Sequence, residues 1–217
     1  MNQCPLCSNA ALEPVKGPDT RVYLFCPLCL LIFVDPSCRI DLREAMERYR
    51  EDDNGIVYPG YFNFLIQVAR PLLPYLKPGH RGLDYGCGSV PALSGFLRTM
   101  GYECEEYDPL FFPIELNPPY DFIFATECME HFFHPEKDLE RITQMLSPGG
   151  YLAVMTLLWK KKEELSTWEY AKNPTHVSFY HADTFAYICQ RFGLEMIWSD
   201  GERCMLFHKK SLSEGKS

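Results

Sequence analysis

Apolar residues in this chain follow two rhythms. Phe62, Leu65, Ile66, Ala69, Leu72 and Leu73 recur with the spacing of one buried helix face, interrupted at Pro71. That spacing returns at Leu93, Phe96, Leu97 and Met100, where Gly101 is the stop, and at Leu139, Ile142, Met145 and Leu146 behind Pro135 and Glu136. It returns again at Phe185, Ile188, Cys189 and Phe192, ended by Gly193. Between the helices lie short apolar runs at 81–85, 102–107, 120–125 and 151–158, the pattern of buried parallel strands. Strand and helix alternate, which predicts an α/β domain with helices on both faces of a mostly parallel sheet. Runs at 194–198 and 204–207 flank the turn of Ser199, Asp200, Gly201 and Glu202, so the chain should close with a β-hairpin.

The first part of the chain has a different texture. Residues 21–25 alternate like a strand, 30–34 continue as another, and Asp35 with Pro36 ends it. A charged helix over 41–51 follows and breaks at Asp52, Asp53, Asn54 and Gly55. This predicts a small module at 1–38, a helical linker at 39–57 and the main domain at 58–217. With 47% apolar and 14% aromatic residues the chain is a folded globule and not a disordered one.

Composition then narrows the partners. No run approaches the roughly 20 apolar residues of a membrane span, and Met1, Asn2, Gln3 and Cys4 do not begin a secretion signal, so a cytoplasmic place is expected. A net charge of -8 repels phosphate backbones and weighs against a nucleic-acid partner. Lys160, Lys161 and Lys162 read as a solvated face. Ten cysteines without an export signal point to thiols and metal ligands before disulfides. Cys4 and Cys7 form one CxxC knuckle, Cys26 and Cys29 another, with 18 residues between them, which is the spacing of a tetrahedral zinc site. The module is therefore expected to be a zinc ribbon with a structural Zn2+, because so short a segment has little core of its own.

The strand at 81–85 runs into Gly86, Cys87 and Gly88 and then, past Pro91, into a helix. Such a turn lets a backbone pass close to a nucleotide-like ligand. Asp108 ends the next strand 22 positions after Gly86, near the separation at which an acid meets a ribose diol. The missing N–H of Pro91 argues against a pyrophosphate seat and so against NAD. Residues 83–88, 105–109, 120–132 and 146–156 together resemble, in order, the motifs of the class I, Rossmann-like S-adenosylmethionine-dependent methyltransferases.

The resemblance implies a Rossmann-like sheet with its last strand inserted antiparallel, S-adenosyl-L-methionine as cofactor, and cofactor contacts from Asp84, Tyr85, Gly86, Cys87, Gly88, Asp108, Pro109, Leu110, Thr126 and Glu127. It also places a helix before the first strand over the cofactor, bringing Tyr58, Tyr61 and Phe62 within reach, although core packing is the commoner use of such a face. His131 and His176 are the candidate catalytic bases, each with an ordinary hydrogen-bonded histidine as the alternative, and Trp168, Tyr170 and Tyr180 belong to an aromatic wall beside a substrate. Two departures stand out. Val90 replaces a small residue of the glycine motif, and only residues 109–119 fill the place of a helix and third strand, so Leu110 and Phe111 become candidates to carry the adenine.

The expected reaction is methyl transfer to a small-molecule acceptor. A modifier of RNA or protein that docks through the ribbon, and an S-adenosylmethionine-binding protein without catalysis, are the alternatives. The acceptor and the oligomeric state are left open.

Overall fold

A computed structural model describes residues 3–52 and 59–211 of the chain. Tyr58, the end of the expected linker and nearly all of the polar tail lie outside the described residues. The N-terminal segment contributes three short strands, β1 (Glu13–Val15), β2 (Tyr23–Phe25) and β3 (Ile32–Val34), paired antiparallel in sequence order. The first of these has no apolar alternation, and only its pairing with β2 makes it a strand. Helix α1 (Leu42–Asp52) follows, then α2 (Pro59–Ala69).

The main sheet contains β4 (Arg81–Tyr85), β5 (Glu103–Tyr107), β6 (Tyr120–Thr126) and β7 (Leu146–Met155), with α3 (Ala92–Thr99) and α4 (Pro135–Met145) as crossovers. After β8 (Ser178–Phe179) and α5 (Ala182–Phe192), the hairpin of β9 (Leu194–Ser199) and β10 (Cys204–Lys209) completes it. Strand order is β5-β4-β6-β7-β10-β9, with β10 antiparallel to β7 and the first four strands parallel. The chain is thus a Rossmann-like α/β fold with the expected antiparallel insertion. Residues 109–119 supply only an isolated bridge from Asp108 to Phe112, so β5 is the edge of the sheet.

Alternation along the strands decides which face each residue covers. Phe122 and Phe124 of β6 pack with Leu65, Val68, Leu72, Leu93 and Leu97 from α2, α3 and the turn after α2. Ile123 and Ala125 face the other way, toward Leu139 and Ile142 of α4 and Phe185 and Ile188 of α5. Several expected boundaries move, most of all that of the strand expected at 151–158, which ends at Met155. Strand β7 starts at Leu146 and not at 151, because the segment around Ser147 and Pro148 bulges outward while Leu146 still pairs with Tyr120. Gly150 allows this; a Cβ there would stand 2.9 Å from the Asp121 carbonyl oxygen.

The N-terminal strands do not stand apart from the sheet domain. Strand β3 pairs with β8, matching Ile32 to Phe179 and Phe33 to Ser178, so a segment from far along the chain completes a four-stranded sheet. Leu6, Leu31 and Phe33 share a core with Tyr180, Phe185 and Leu139. Arg21, its side chain 10% exposed, donates to the carbonyls of Ala171, Asn173, Pro174 and His176. Its guanidinium organises a loop whose carbonyls have no strand to pair with. Arg21→Met should cost about 3 kcal/mol by leaving the Pro174 and His176 carbonyls without their donor. Thermal unfolding read by circular dichroism should show a lowered midpoint, and an unchanged one would remove Arg21 from this role.

Candidate functional site

The site begins where the chain reverses its direction across the sheet. From β4 it moves outward to β5 and then returns past β4 to β6, leaving a crevice beyond the carboxyl ends of these strands. Gly86 and Cys87 both donate to the carbonyl of Tyr107, at 2.7 and 3.2 Å, which fastens the glycine turn to the end of β5. Gly86 takes φ +76, and a Cβ there would lie 2.5 Å from the Cβ of Cys128. Gly88 takes φ +66 and has open space where its Cβ would stand. Its N–H donates to Asp108 Oδ2 at 3.2 Å, so acid and turn meet. Asp108 Oδ1 accepts from the amides of Leu110 and Phe111, at 2.8 and 3.2 Å, which holds the carboxylate in place.

These residues open onto a cavity of about 630 Å3, a size ordinary for a cofactor or drug-sized ligand. All ten expected cofactor residues line it: Asp84, Tyr85, Gly86, Cys87, Gly88, Asp108, Pro109, Leu110, Thr126 and Glu127. Phe111 and Tyr61 line it as well, whereas Phe62 turns away and packs edge-on against Phe96. Two polar atoms in the wall, Thr126 Oγ1 and Glu127 Oε1, are buried with no hydrogen-bond partner. Glu127 also sits at φ +47, an uncommon region for a residue with a side chain. An adenosyl ligand with a cationic amino-acid tail suits this wall, since it offers the donors those oxygens lack.

Burial sets the titration of the carboxyls. Desolvation pushes Asp84 up to about 7, with Glu106 adding to the rise. Desolvation and the nearby Glu130 push Glu127 up to about 8.

The two histidines occupy different places. His131 follows β6 and lines the cavity, its Nδ1–H donated to the carbonyl of Thr175 at 3.1 Å. His176 is buried behind it and donates Nδ1–H to the carbonyl of Tyr170 at 2.7 Å. The rings meet edge to face, 4.8 Å between centroids. Burial lowers both, to about 4 for His131 and about 3 for His176, so both imidazoles are neutral at pH 7. The aromatic wall also stands behind the cavity. Tyr180 is fully buried and donates to the carbonyl of Met129, Trp168 packs against Phe179 and Tyr170, and the Tyr170 hydroxyl reaches toward Thr156 and Glu127. None of the three lines the cavity.

Asn173 and Thr175, from the same segment, do line it, as do Ile40 and Ala45 from the stretch read as a linker. Phe132, Phe133, His134 and Asp138 also contribute. The signal for Phe132, Phe133 and His134 was the run from 131 to 134 straight after a buried strand; Ile40, Ala45 and Asp138 had none.

The methyltransferase domain family matches residues 60–198. The chain belongs to that family. No protein of curated function matches this methyltransferase by sequence. Among solved structures it is similar to the Burkholderia thailandensis 1,6-didemethyltoxoflavin-N1-methyltransferase with bound 1,6-didemethyltoxoflavin and S-adenosylhomocysteine. Identity is 13% and the TM-score 0.55, over 92% of this chain and 100% of that one. It is also similar to Haemonchus contortus phosphoethanolamine N-methyltransferase 2 in complex with S-adenosyl-L-methionine, at 15% identity and a TM-score of 0.53, over 83% of this chain and 62% of that one. At such identities the likeness is one of fold, that of class I S-adenosylmethionine-dependent methyltransferases.

The raised acids have a consequence for the ligand-free methyltransferase. Groups whose folded pKa lies above the unfolded value bind more protons when folded, so they oppose folding as pH rises past the unfolded value, until they ionise in the folded state too. For Asp84 and Glu127 that window runs from the ordinary carboxyl range of about 4 up to about 7 and about 8. His131 and His176, held below their ordinary value, act the opposite way up to about 6.5. Urea midpoints should therefore fall from pH 6.5 to pH 8, and Glu127→Gln should flatten that fall. A midpoint that rises over this range in the variant and parent alike would contradict the assignment.

Proposed function

We propose that this chain transfers a methyl group from S-adenosylmethionine to a small-molecule acceptor. The observation that carries the reading is the meeting of four separate stretches on one cavity, with Asp108 bonded to the Gly88 amide. On this reading the turn from Gly86 to Gly88 holds the cofactor's amino-acid tail and Asp108 accepts from its ribose hydroxyls. Pro109, Leu110 and Phe111 form an apolar floor for the adenine. Asp84 and Tyr85 close the bottom, and Thr126 and Glu127 offer their unpaired oxygens to the tail. The bound sulfonium supplies an electrophilic methyl group. The chain contributes alignment and exclusion of water, worth about 7 to 11 kcal/mol for well-placed reactants.

The acceptor would stand at the end of the cavity bounded by His131, Asn173 and Thr175. His131 holds its proton on Nδ1, so Nε2 carries the lone pair that takes a proton from a hydroxyl or ammonium acceptor. His176 and the aromatic residues Trp168, Tyr170 and Tyr180 back this wall from behind. A small acceptor suits a cavity of this size with a mostly apolar wall, in a chain of net charge -8.

The ribbon belongs to the same proposal. Cys4 and Cys29 sulfurs lie 3.5 Å apart and Cys7 and Cys26 sulfurs 3.4 Å apart, with all four within 4.8 Å of one another. Tetrahedral Zn2+ with bonds of about 2.3 Å separates its sulfurs by about 3.8 Å, so the four cysteines fit a closed structural site. Fusion of β3 to β8 favours a ribbon that braces the loop at 171–176 over one that docks a macromolecule.

Two outcomes test these roles. Asp108→Asn keeps an oxygen for the Leu110 and Phe111 amides but loses the charge that accepts from the ribose, and should weaken S-adenosylmethionine binding by about 10-fold or more in calorimetry. Equal affinity would remove Asp108 from the cofactor. Cys29→Ser should release the ribbon metal, seen as loss of the thiolate charge-transfer absorption of the cobalt-substituted chain, and should lower the unfolding midpoint. A chain that never shows that absorption would exclude the metal.

A further inference from the structure

Glu130, His131 and His176 each bring one possible ligand atom, and the three atoms lie within 4.8 Å of one another. Glu130 and His131 come from the turn after β6, and His176 from the loop just before β8. Both imidazoles are held alike. Each faces a main-chain carbonyl through Nδ1, that of Thr175 for His131 and that of Tyr170 for His176. A carbonyl can only accept, so the proton sits on Nδ1 and Nε2 presents the lone pair. Metal-binding histidines are oriented in this way, the second nitrogen donating to a carbonyl or carboxylate.

The carboxylate supplies an independent sign. The Glu130 side chain is 1% exposed, one oxygen accepts from the Thr156 hydroxyl at 2.9 Å, and the other has no hydrogen-bond partner. That oxygen lies 3.9 Å from His131 Nε2. A fully buried carboxylate oxygen without a donor is costly to keep. A cation between it and the two imidazoles removes the cost.

We propose that Glu130, His131 and His176 bind a divalent transition-metal ion, Zn2+ or Fe2+, at the acceptor end of the cavity and apart from the cysteine site. Two imidazoles and one carboxylate suit these ions; Mg2+ and Ca2+ prefer oxygen alone. Bonds of about 2.1 Å draw tetrahedral donors to about 3.4 Å apart, so ligation closes the cluster by side-chain rotation. Three protein ligands leave a coordination position open, and His131 is the ligand that lines the cavity. An acceptor oxygen entering from the cavity would complete the coordination, and the ion would ease loss of its proton. With the ion bound, the Nε2 lone pair of His131 is a ligand and that task passes to the metal. The acceptor class this selects carries a hydroxyl or carboxylate beside the methylated atom.

The test is a count of metal on the full chain, dialysed against Zn2+, against Co2+ as a spectroscopic stand-in, and anaerobically against Fe2+. The expected result is two ions per chain with Zn2+ or Co2+, one giving thiolate charge-transfer absorption and one giving only the weak bands of nitrogen and oxygen ligation. Retention of Fe2+ without thiolate absorption would assign iron as the preferred ion of the second site; its absence would assign zinc. Glu130→Gln and His176→Ala should each reduce the count from two to one and keep the thiolate absorption. One ion per wild-type chain under all three metals would overturn the proposal, as would two ions in both variants. Should a variant fail to fold, the wild-type count and its bands decide alone. S-adenosylmethionine binding, measured separately, reports on the cofactor reading and does not enter the count.

Discussion

The carbonyl of Tyr107 accepts from both Gly86 and Cys87, and the rest of the site depends on that fastening. It ties the end of one parallel strand to the turn leaving its neighbour, and so fixes the distance between the glycine turn and Asp108. A residue with a side chain at position 86 would collide with Cys128, which shows how closely the turn packs on the strand end beside it. The crevice follows from sheet topology, but its depth and polarity follow from these few main-chain bonds. With the turn held there, Gly88 can direct its N–H at the acid and leave open space on its other side.

Local pattern carried most of the fold because the central strands β4, β6, β7 and β10 are largely buried and the helices packed on them each have an apolar face. The unbroken apolar run from Phe122 to Ala125 signals a strand covered on both faces, and the fold divides its residues between the two cores. The glycine turn and Asp108 were legible for a related reason: special backbone conformations demand particular residue types. What sequence reasoning missed is non-local. Strand β1 exists through its pairing with β2, and β8 through its pairing with a strand far earlier in the chain. Burial of His176 and Tyr180 depends on that same pairing, and no neighbouring residue announces it. Hence the aromatic segment looked like a wall facing a ligand, when most of its rings serve as packing behind one.

The N-terminal strands and the sheet domain share more than a boundary. Arg21 reaches across to four carbonyls of the segment at 171–176, and that segment carries Asn173 and Thr175 to the cavity. The hydroxyl of Tyr23 adds a bond to the Ala171 carbonyl. Position of that end of the cavity therefore depends on residues within the first 40 of the chain. A change in the N-terminal strands can reach the cavity through the pairing of β3 with β8 and through one guanidinium.

Loss of the usual third strand leaves β5 with its outer backbone groups facing away from the sheet. An open margin of this kind invites another chain to add itself strand by strand. Here Glu103 and Glu105 stand along it, paired with Arg81, and the phenol of Tyr120 bonds to Glu105. Two carboxylates against one guanidinium leave that strand net negative. The shortening that simplifies the sheet is thus matched by an acidic selvedge along its open side.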